Sequence, residues 1–492
     1  MDSLKNTNKY FIYTLFLLVI AYPLFGVLDR MPIRLWDESR LAMNAYEMSR
    51  PGNWLVTTFE GAPDMWNTKP PLLIWIQAFF IKILGFGPLA LRIPVAIAAC
   101  ITVFYLFRFL SKGIKDYTFG LFMAIVLLSS AGYVCEHVSR TGDYDGLLIL
   151  FTTLSCLSFF NFIEKEQYKY LYYFFIFLTL AVLTKSIAGL LFLPALFIYA
   201  IYRKKVISLL RSGHLYFGLL LFIAPVILYY ILREQYNPGY IKAVMENEFS
   251  GRYLKTLEHH NNPFDFYYKL IYEQHFRYWL PVALIGIPVG LLHQQIFIRR
   301  IALLSVLCIA CFSLVISFSQ TKLLWYDAPL YPFLAIITAI PIYTAYLYLA
   351  KQVADAPKWK RLLPVAGISI VFLIPYFSTT NKIARTPEYA ENERVFAISR
   401  YLIKGIKEKV PLNGYKVVAE GYVPHIMSYI YMANEKGINL KRITSRELQP
   451  GDKVIVEEDP VKALIQQNFD FELLHNEDYV EIYHLLQPKD LK

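Results

Sequence analysis

Charge is what this 492-residue chain has least of: Asp, Glu, Lys and Arg make up 18% of it, against about a quarter in soluble domains. With hydrophobic residues at 56%, that shortage excludes a soluble protein built on one or two closed cores. Cysteine is sparse as well. The five present, Cys100, Cys135, Cys156, Cys308 and Cys311, lie in or beside apolar runs, and none lies in the polar C-terminal tail. A disulfide framework and a thiolate metal site are therefore excluded. There is no HExxH spacing, hence no histidine zinc motif of that kind. Low-complexity segments and clear internal repeats are also missing. The first apolar run, 10–28, lacks a small-residue cleavage site, so it reads as a membrane span and not as a cleaved leader.

What the chain has instead is a series of apolar runs, each near the ~20 residues that an α-helix needs to cross the hydrocarbon. They are centred on 10–28, 89–107, 117–135, 146–163, 170–184, 187–202, 215–232, 280–296, 301–318, 328–350 and 362–377. Aromatics reach 16% and cluster at the ends of these runs, as interfacial belts do. The net charge of +11 does not point to nucleic acid, because most Lys and Arg fall in short loops between runs. With the N-terminus in the cytoplasm, every second loop is cytoplasmic. Those loops carry Arg108, Lys112 and Lys115, then Lys165 and Lys169, then Arg203, Lys204, Lys205 and Arg211, then Arg299 and Arg300, then Lys358, Lys360 and Arg361. That alternation follows the positive-inside rule. Residues 70–86 are apolar but short and contain Lys82, which predicts an interfacial or re-entrant helix and not a crossing.

After about Ser378 the sequence turns polar and mixed in charge. Its pattern predicts a small α/β domain: helix 391–408, strand 415–420, helix 424–434, strands near 438–443 and 452–457, helix 459–468, and a closing strand pair 471–475 and 479–485. The expected division is a membrane domain over 1–377 and a soluble domain over 378–492. We read the latter as periplasmic, with an acceptor-binding or regulatory role.

The spans hold almost no ionisable residue in their middles, and the informative charges gather in the outer loops, where a site or substrate path is expected. In the first loop, Asp37 and Glu38 open an amphipathic helix stopped by Pro51-Gly52. They suit a helix first turn, where acids meet the dipole. They equally suit a carboxylate held at the water–lipid boundary to deprotonate an acceptor hydroxyl. Lys69 precedes Pro70 and Pro71; it snorkels, binds a carrier phosphate or pairs with Asp37. Arg140, Asp143 and Asp145 fall within six residues, a polar turn or an oxygen site for a divalent cation or sugar phosphate. Glu248, Arg252, His259 and His260 occupy a long outer loop that reads as water-exposed. Lys322 stands near Trp325 and Tyr326, which read as interface anchors or a phosphate contact.

In their order along residues 10–350, these features resemble the dolichyl-phosphate-mannose-protein mannosyltransferase-like family, including the bacterial lipid A aminoarabinose transferases. The features are Asp37-Glu38, Lys69-Pro70-Pro71-Leu72, Arg140…Asp143…Asp145, Lys185 in LTKSIAG, Gly251-Arg252-Tyr253…His259, and Lys322…Tyr326…Tyr331-Pro332. One departure is Thr68, where the aminoarabinose transferases carry an acid. The resemblance implies a membrane all-α GT-C fold with about eleven transmembrane helices, juxtamembrane helices and an outer cavity, beside the small α/β domain. It implies a polyprenyl-phosphate sugar donor and a lipid, glycan or protein acceptor. Asp37 would be the catalytic carboxylate, with Lys69 holding it or the donor phosphate. Arg140, Lys322, Arg252 and Tyr326 are the other candidates for the phosphate; Glu38, Asp143 and His259 for substrate; Asp145 for a metal, with a divalent cation the one cofactor expected.

The reaction expected is an inverting displacement at the outer face of a bacterial inner membrane. A transporter or flippase for lipid-linked cargo is the rival reading, although paired repeats and mid-bilayer charges are not evident. A non-catalytic assembly protein is a third; it would depend on the tail and not on Asp37 and Lys69.

Overall fold

The computed structural model describes residues 2–50, 54–134, 137–248, 262–357, 359–385, 392–408 and 412–489. Helices come first: α1 (Asp2–Phe25), α2 (Asp37–Ser49), α3 (Leu72–Leu84), α4 (Pro88–Ile114), α5 (Tyr117–Leu128), α6 (Asp145–Lys165), α7 (Tyr168–Lys185) and α8 (Leu193–Tyr202). There follow α9 (Val206–Leu210), α10 (Gly213–Tyr236), α11 (Tyr240–Val244), α12 (Phe266–Leu270), α13 (Leu280–Leu291), α14 (Ile296–Phe318), α15 (Tyr331–Gln352) and α16 (Leu363–Arg385). Among the described residues, seven helical segments are long and apolar enough to cross a membrane. They contain α4, α6, α7, α10, α14, α15 and α16. Four of the expected spans form shorter apolar helices, α1 over its apolar part Tyr10–Phe25, α5, α8 and α13. Along α10 the large residues Tyr216, Phe217, Leu220, Ile223, Ile227, Leu228 and Ile231 are all exposed. An apolar surface of that extent is stable against lipid and not against water.

The two ends of the bundle differ in chemistry. At one end, Glu164 near the C-terminus of α6 takes Arg203 from the end of α8 and Arg300 from the start of α14. At the other end, Asp145 opens α6 and pairs with Lys185, which closes α7. The 21 residues of α6 separate the two ends by roughly 30 Å at ~1.5 Å per residue, about one hydrocarbon thickness. The basic loops therefore lie one membrane thickness from the acidic and histidine-bearing ones. Close helix packing is visible at Gly286 of α13, where a Cβ would sit 2.2 Å from the carbonyl oxygen of Ile337 on α15. Four residues on, a Cβ at Gly290 would sit 2.7 Å from Ala302 of α14. This is the small-residue spacing by which membrane helices approach closely.

Besides the five-residue helices α9, α11 and α12, two longer helices, α2 and α3, do not cross. α3 has 13 residues, about 20 Å at ~1.5 Å per residue, too short for a ~30 Å core. One face (Leu73, Ile74, Ala78, Ile81) is buried and the other (Phe79, Ile83, Leu84) is exposed, as expected for a helix lying along the bundle. α2 packs on it. A two-residue hairpin, β1 (Thr58–Phe59) with β2 (Ala62–Pro63), lies between them in sequence.

The tail forms α17 (Ala397–Glu408), β3 (Lys416–Val418), α18 (Pro424–Glu435), β4 (Lys441–Ile443), β5 (Lys453–Val456), α19 (Asp459–Asn468), β6 (Phe469–Glu477) and β7 (Val480–Pro488). Strand order is β4-β3-β5-β7-β6. β3 runs parallel to β4 and β5, while β7 is antiparallel to β5 and β6. Val418, Ile443, Val454, Val456, Val461, Ile465, Tyr483 and Leu485 form the core between this sheet and α19. The opposite side, with Ile398, Leu402, Tyr429 and Ile430, joins Leu41, Met48, Leu73 and Ile81 in one cluster. The domain is thus seated on α2 and α3, at the Asp145–Lys185 end. A boundary at 377 falls inside α16, which runs on to Arg385 and whose Ala384 carbonyl accepts from Arg30.

Candidate active site

α2 starts abruptly. Trp36, its N-cap, has φ +74° and gives no side-chain cap, so Asp37 and Glu38 supply the negative charge that the N-terminus favours. The two acids then part company. Glu38 is buried, and its carboxylate accepts from Arg92 Nε and Nη2 at 2.7 Å each. It also accepts from the backbone N–H of Arg34 at 2.9 Å and of Gly142 at 2.8 Å. Arg92 spends its remaining hydrogens on the carbonyls of Leu28, Met31 and Pro32. Burial alone would raise the Glu38 pKa, but the Arg92 guanidinium holds it down to about 2. Glu38, a substrate-binding candidate by sequence, has its oxygens engaged inside the protein. It fixes the 28–38 segment to α4 and to the 137–144 loop.

Asp37 is exposed and stands with His137 and Asp143; one donor atom from each lies within 4.8 Å of the others. His137 Nδ1 is 3.2 Å from Asp143 Oδ2, and its ring stacks on Trp325, centroids 3.6 Å apart at 10°. Burial pushes the His137 pKa down, but Asp143 and then Asp37 outweigh it and the net shift is upward. Asp143 is buried, and among the described residues neither of its oxygens has a hydrogen-bond donor of good geometry. Buried acceptors are rarely left so. Two carboxylates and an imidazole suit a divalent ion such as Zn²⁺ or Mn²⁺, so these residues fit the cation expected from the sequence. The position expected for it does not. Both Asp145 oxygens are 2.7 Å from Lys185 Nζ, so Asp145 is one half of a buried ion pair.

Beside this trio opens a cavity of about 690 Å³ including its mouth. Its polar part is formed by Lys69, Asp145, Lys185, Glu248 and Tyr326, and Leu148, Leu191, Phe312 and Ile316 contribute an apolar wall. Lys69 Nζ is 3.4 Å from Glu248 Oε1 and 5.5 Å from the Tyr144 ring centre. Its segment is held from both sides. Asp64 accepts from the backbone N–H of Trp66 and Asn67 and pairs with Arg40, while the Tyr240 hydroxyl donates to the Thr68 carbonyl. Lys185 Nζ lies 5.3 Å from the Tyr326 ring centre, and Asp37 is near enough to act on Lys185 electrostatically. Trio and cavity are therefore adjacent.

The other phosphate candidates fare differently. Arg140 donates to the carbonyls of Pro23 and Gly26 at the end of α1, which are helix-end carbonyls in need of donors. Burial and its neighbours Arg92 and Arg34 lower its pKa to about 10. Lys322 Nζ donates to the Ser319 carbonyl at 2.6 Å, and burial lowers its pKa. Tyr326 lines the cavity. Arg252 and His259 lie outside the described residues. Sequence reasoning gave Lys185 no role of its own and did not single out His137 or Arg92. The signals were there in part: Arg92 is a cation within an apolar run and Lys185 sits between two adjoining ones, where membrane helices tolerate a charge only with a partner. Glu248, read as solvent-exposed, is buried against Lys69 and Thr68.

A sequence model of the dolichyl-phosphate-mannose-protein mannosyltransferase family matches residues 68–230, a stretch that holds Lys69-Pro70-Pro71, the 140–145 loop and Lys185. The likeness read from the ordered motifs therefore holds. Among curated relatives, the undecaprenyl phosphate-alpha-4-amino-4-deoxy-L-arabinose arabinosyl transferase of Shewanella sediminis (strain HAW-EB3) is 27% identical over 225 residues, 43% of this chain and 38% of that protein. YycA of Bacillus subtilis (strain 168) is 26% identical over 171 residues, 34% of this chain and 24% of that protein. The chain thus spans less than half the length of either curated relative. Among solved structures, ArnT from Cupriavidus metallidurans bound to undecaprenyl phosphate superposes with TM-score 0.68 at 15% identity, over 96% of this chain and 97% of that one. The Archaeoglobus fulgidus oligosaccharyltransferase in its apo form gives TM-score 0.53 at 11% identity, over 87% and 64%. The fold is the GT-C fold expected from the sequence.

Proposed function

We propose that this protein is an integral-membrane glycosyltransferase that moves a monosaccharide from a polyprenyl-phosphate carrier to a hydroxyl of a lipid, glycan or protein acceptor, at the periplasmic face of a bacterial inner membrane. The observation that carries the reading is the cavity whose apolar wall meets two lysines beside an exposed carboxylate. A prenyl phosphate has the same two halves. Its tail stays in lipid, its phosphate needs cations, and its anomeric carbon must meet a wet nucleophile. The undecaprenyl phosphate bound by the ArnT neighbour and the donor named for the Shewanella relative support the same carrier class.

In the displacement, Asp37 takes the proton of the acceptor hydroxyl, the oxygen attacks the anomeric carbon, and the carbon–phosphate oxygen bond breaks with inversion. The leaving phosphate gains negative charge, which fixed cations stabilise as it develops. Of the two lysines, Lys185 is clamped at 2.7 Å by both Asp145 oxygens, whereas Lys69 holds Glu248 at 3.4 Å. Lys69 is the one a phosphate can recruit with less loss. Asp37, His137 and Asp143 would together hold a divalent cation, which would supply further positive charge to the site.

Two results are expected. Lys69→Met raises the donor KM by roughly tenfold to a hundredfold, the worth of a charge-assisted hydrogen bond. Steady-state kinetics on protein in lipid nanodiscs measures it, and an unchanged KM removes Lys69 from the donor site. Protein stripped by chelator and reloaded with Zn²⁺ or Mn²⁺ retains about one ion per chain, and His137→Ala loses it. Elemental analysis reads this without reference to activity; equal retention by the variant rules the trio out.

A further inference from the structure

The residue before the candidate base has a role that the displacement does not use. Trp36 is 62% exposed and holds φ +74°, a conformation that bulky side chains avoid and that concentrates at functional sites. Its ring stacks on Tyr422 of the α/β domain, centroids 5.3 Å apart at 23°, and Tyr422 in turn stacks on Phe59 of the β1–β2 hairpin at 6.0 Å and 18°. Arg40 lies 4.3 Å from the Phe59 ring centre and 5.9 Å from that of Tyr422, and Asp64 grips it with two bonds of 2.9 and 2.7 Å. Three near-parallel rings from three separate segments thus form one stack, with Arg40 against its Phe59 and Tyr422 members. Tyr422 is close enough to Asp37 to feel its charge.

Exposed tryptophans in membrane proteins commonly anchor in headgroups. None of these rings lies on a spanning helix, however, and the central one belongs to the polar domain. An exposed indole face braced by a ring stack matches the apolar C–H face of a sugar ring, and the Asp37 carboxylate one residue on suits its rim of hydroxyls. Asp37 adjoins Trp36 in the chain and acts on Tyr422, the ring that Trp36 stacks on, so a sugar held at this stack is near its carboxylate. We infer that Trp36, Tyr422, Phe59 and Arg40 form the acceptor subsite, and that the acceptor is a carbohydrate-bearing molecule whose terminal sugar stacks on Trp36. The inference rests on the transferase reading above and explains why the α/β domain is seated here, since Tyr422 completes the acceptor site.

The test uses the full-length protein in nanodiscs against an immobilised panel of neutral, amino and acidic oligosaccharides. Wild type is expected to bind at least one class. Trp36→Ala and Tyr422→Ala weaken that binding at least tenfold, while Trp36→Phe, which keeps an aromatic face, stays within about threefold. Binding is read without donor present, so a failure of the displacement, tested separately by transfer, leaves the binding result untouched. Thermal unfolding of each variant separates lost binding from lost fold. Binding by Trp36→Ala equal to wild type, or no panel member bound at millimolar concentration, overturns the proposal. So does quenching by brominated phospholipid in wild type that disappears in Trp36→Phe, which would make Trp36 a membrane anchor.

Discussion

Asp37→Asn lowers the transfer rate by about 10²- to 10⁴-fold, the range that a positioned general base contributes, and changes the donor KM by less than about twofold. The substitution keeps the shape of the side chain and removes its basicity. Asp37 is the exposed member of the acidic pair; Glu38, one residue on, has its oxygens committed to Arg92 and two backbone amides. Glu38 therefore has no means to stand in. Single-turnover transfer with a labelled donor reads the effect, because a defect in product release leaves that rate unchanged. Near-wild-type transfer by Asp37→Asn removes the base from the mechanism. A rise in donor KM alone places Asp37 in binding instead.

The second large effect is on stability. Arg92→Ala leaves Glu38 as a buried, unpaired carboxylate and three carbonyls without their donor. Removing one partner of a buried pair costs about 3–5 kcal/mol. A lowering of the Glu38 pKa from 4.5 to about 2 corresponds to roughly 3 kcal/mol at neutral pH, which agrees in size. The sign follows from the lowered value. Stability from this pair is complete above pH about 4.5, falls as Glu38 takes up a proton toward pH 2, and is absent below. Thermal unfolding in detergent between pH 7 and pH 3 should show a steep loss for wild type and a shallower one for Glu38→Gln, which cannot titrate. Arg92→Lys does not rescue, since an ammonium cannot reproduce the fork that holds both oxygens. A Tm within about 2 °C of wild type for Arg92→Ala would mean that the pair is solvated and the loop held by other means.

Much of the architecture could be read from residue order because it depends on local period and run length. The long runs at 146–163, 215–232 and 301–318 became α6, α10 and α14. The tail's pattern gave β5 and α19 to within a residue at each end, and β6 and β7 to within three. Run length failed at 117–135. There α5 stops at Leu128, the Ser129 and Ser130 hydroxyls turn back to the Ile125 and Val126 carbonyls, and Gly132 packs so closely on Tyr331 that a Cβ would sit 2.1 Å from its ring. Hydropathy reports that such residues are apolar and not that they are irregular. The site was legible as a set of loops but not as a set of partners. Lys185 finds Asp145 forty positions away, Lys69 finds Glu248, and Arg92 finds Glu38 across the first loop. Those choices follow from which helix ends the bundle brings together. Arg140 was plausible for a phosphate by composition alone, and helix-end carbonyls claimed it.

A transferase of this kind cleaves the bond between a sugar and a prenyl phosphate, whereas a flippase moves the intact lipid. The direct measurement supplies purified protein, reconstituted in sealed vesicles, with a polyprenyl-phosphate sugar doubly labelled in carrier and sugar, together with an envelope glycan extract as acceptor. The two labels are expected to separate, with free polyprenyl phosphate accumulating one for one with glycosylated product, and Asp37→Asn to stop both. Both labels crossing the bilayer together, with the linkage intact and no product formed, would contradict the transferase reading.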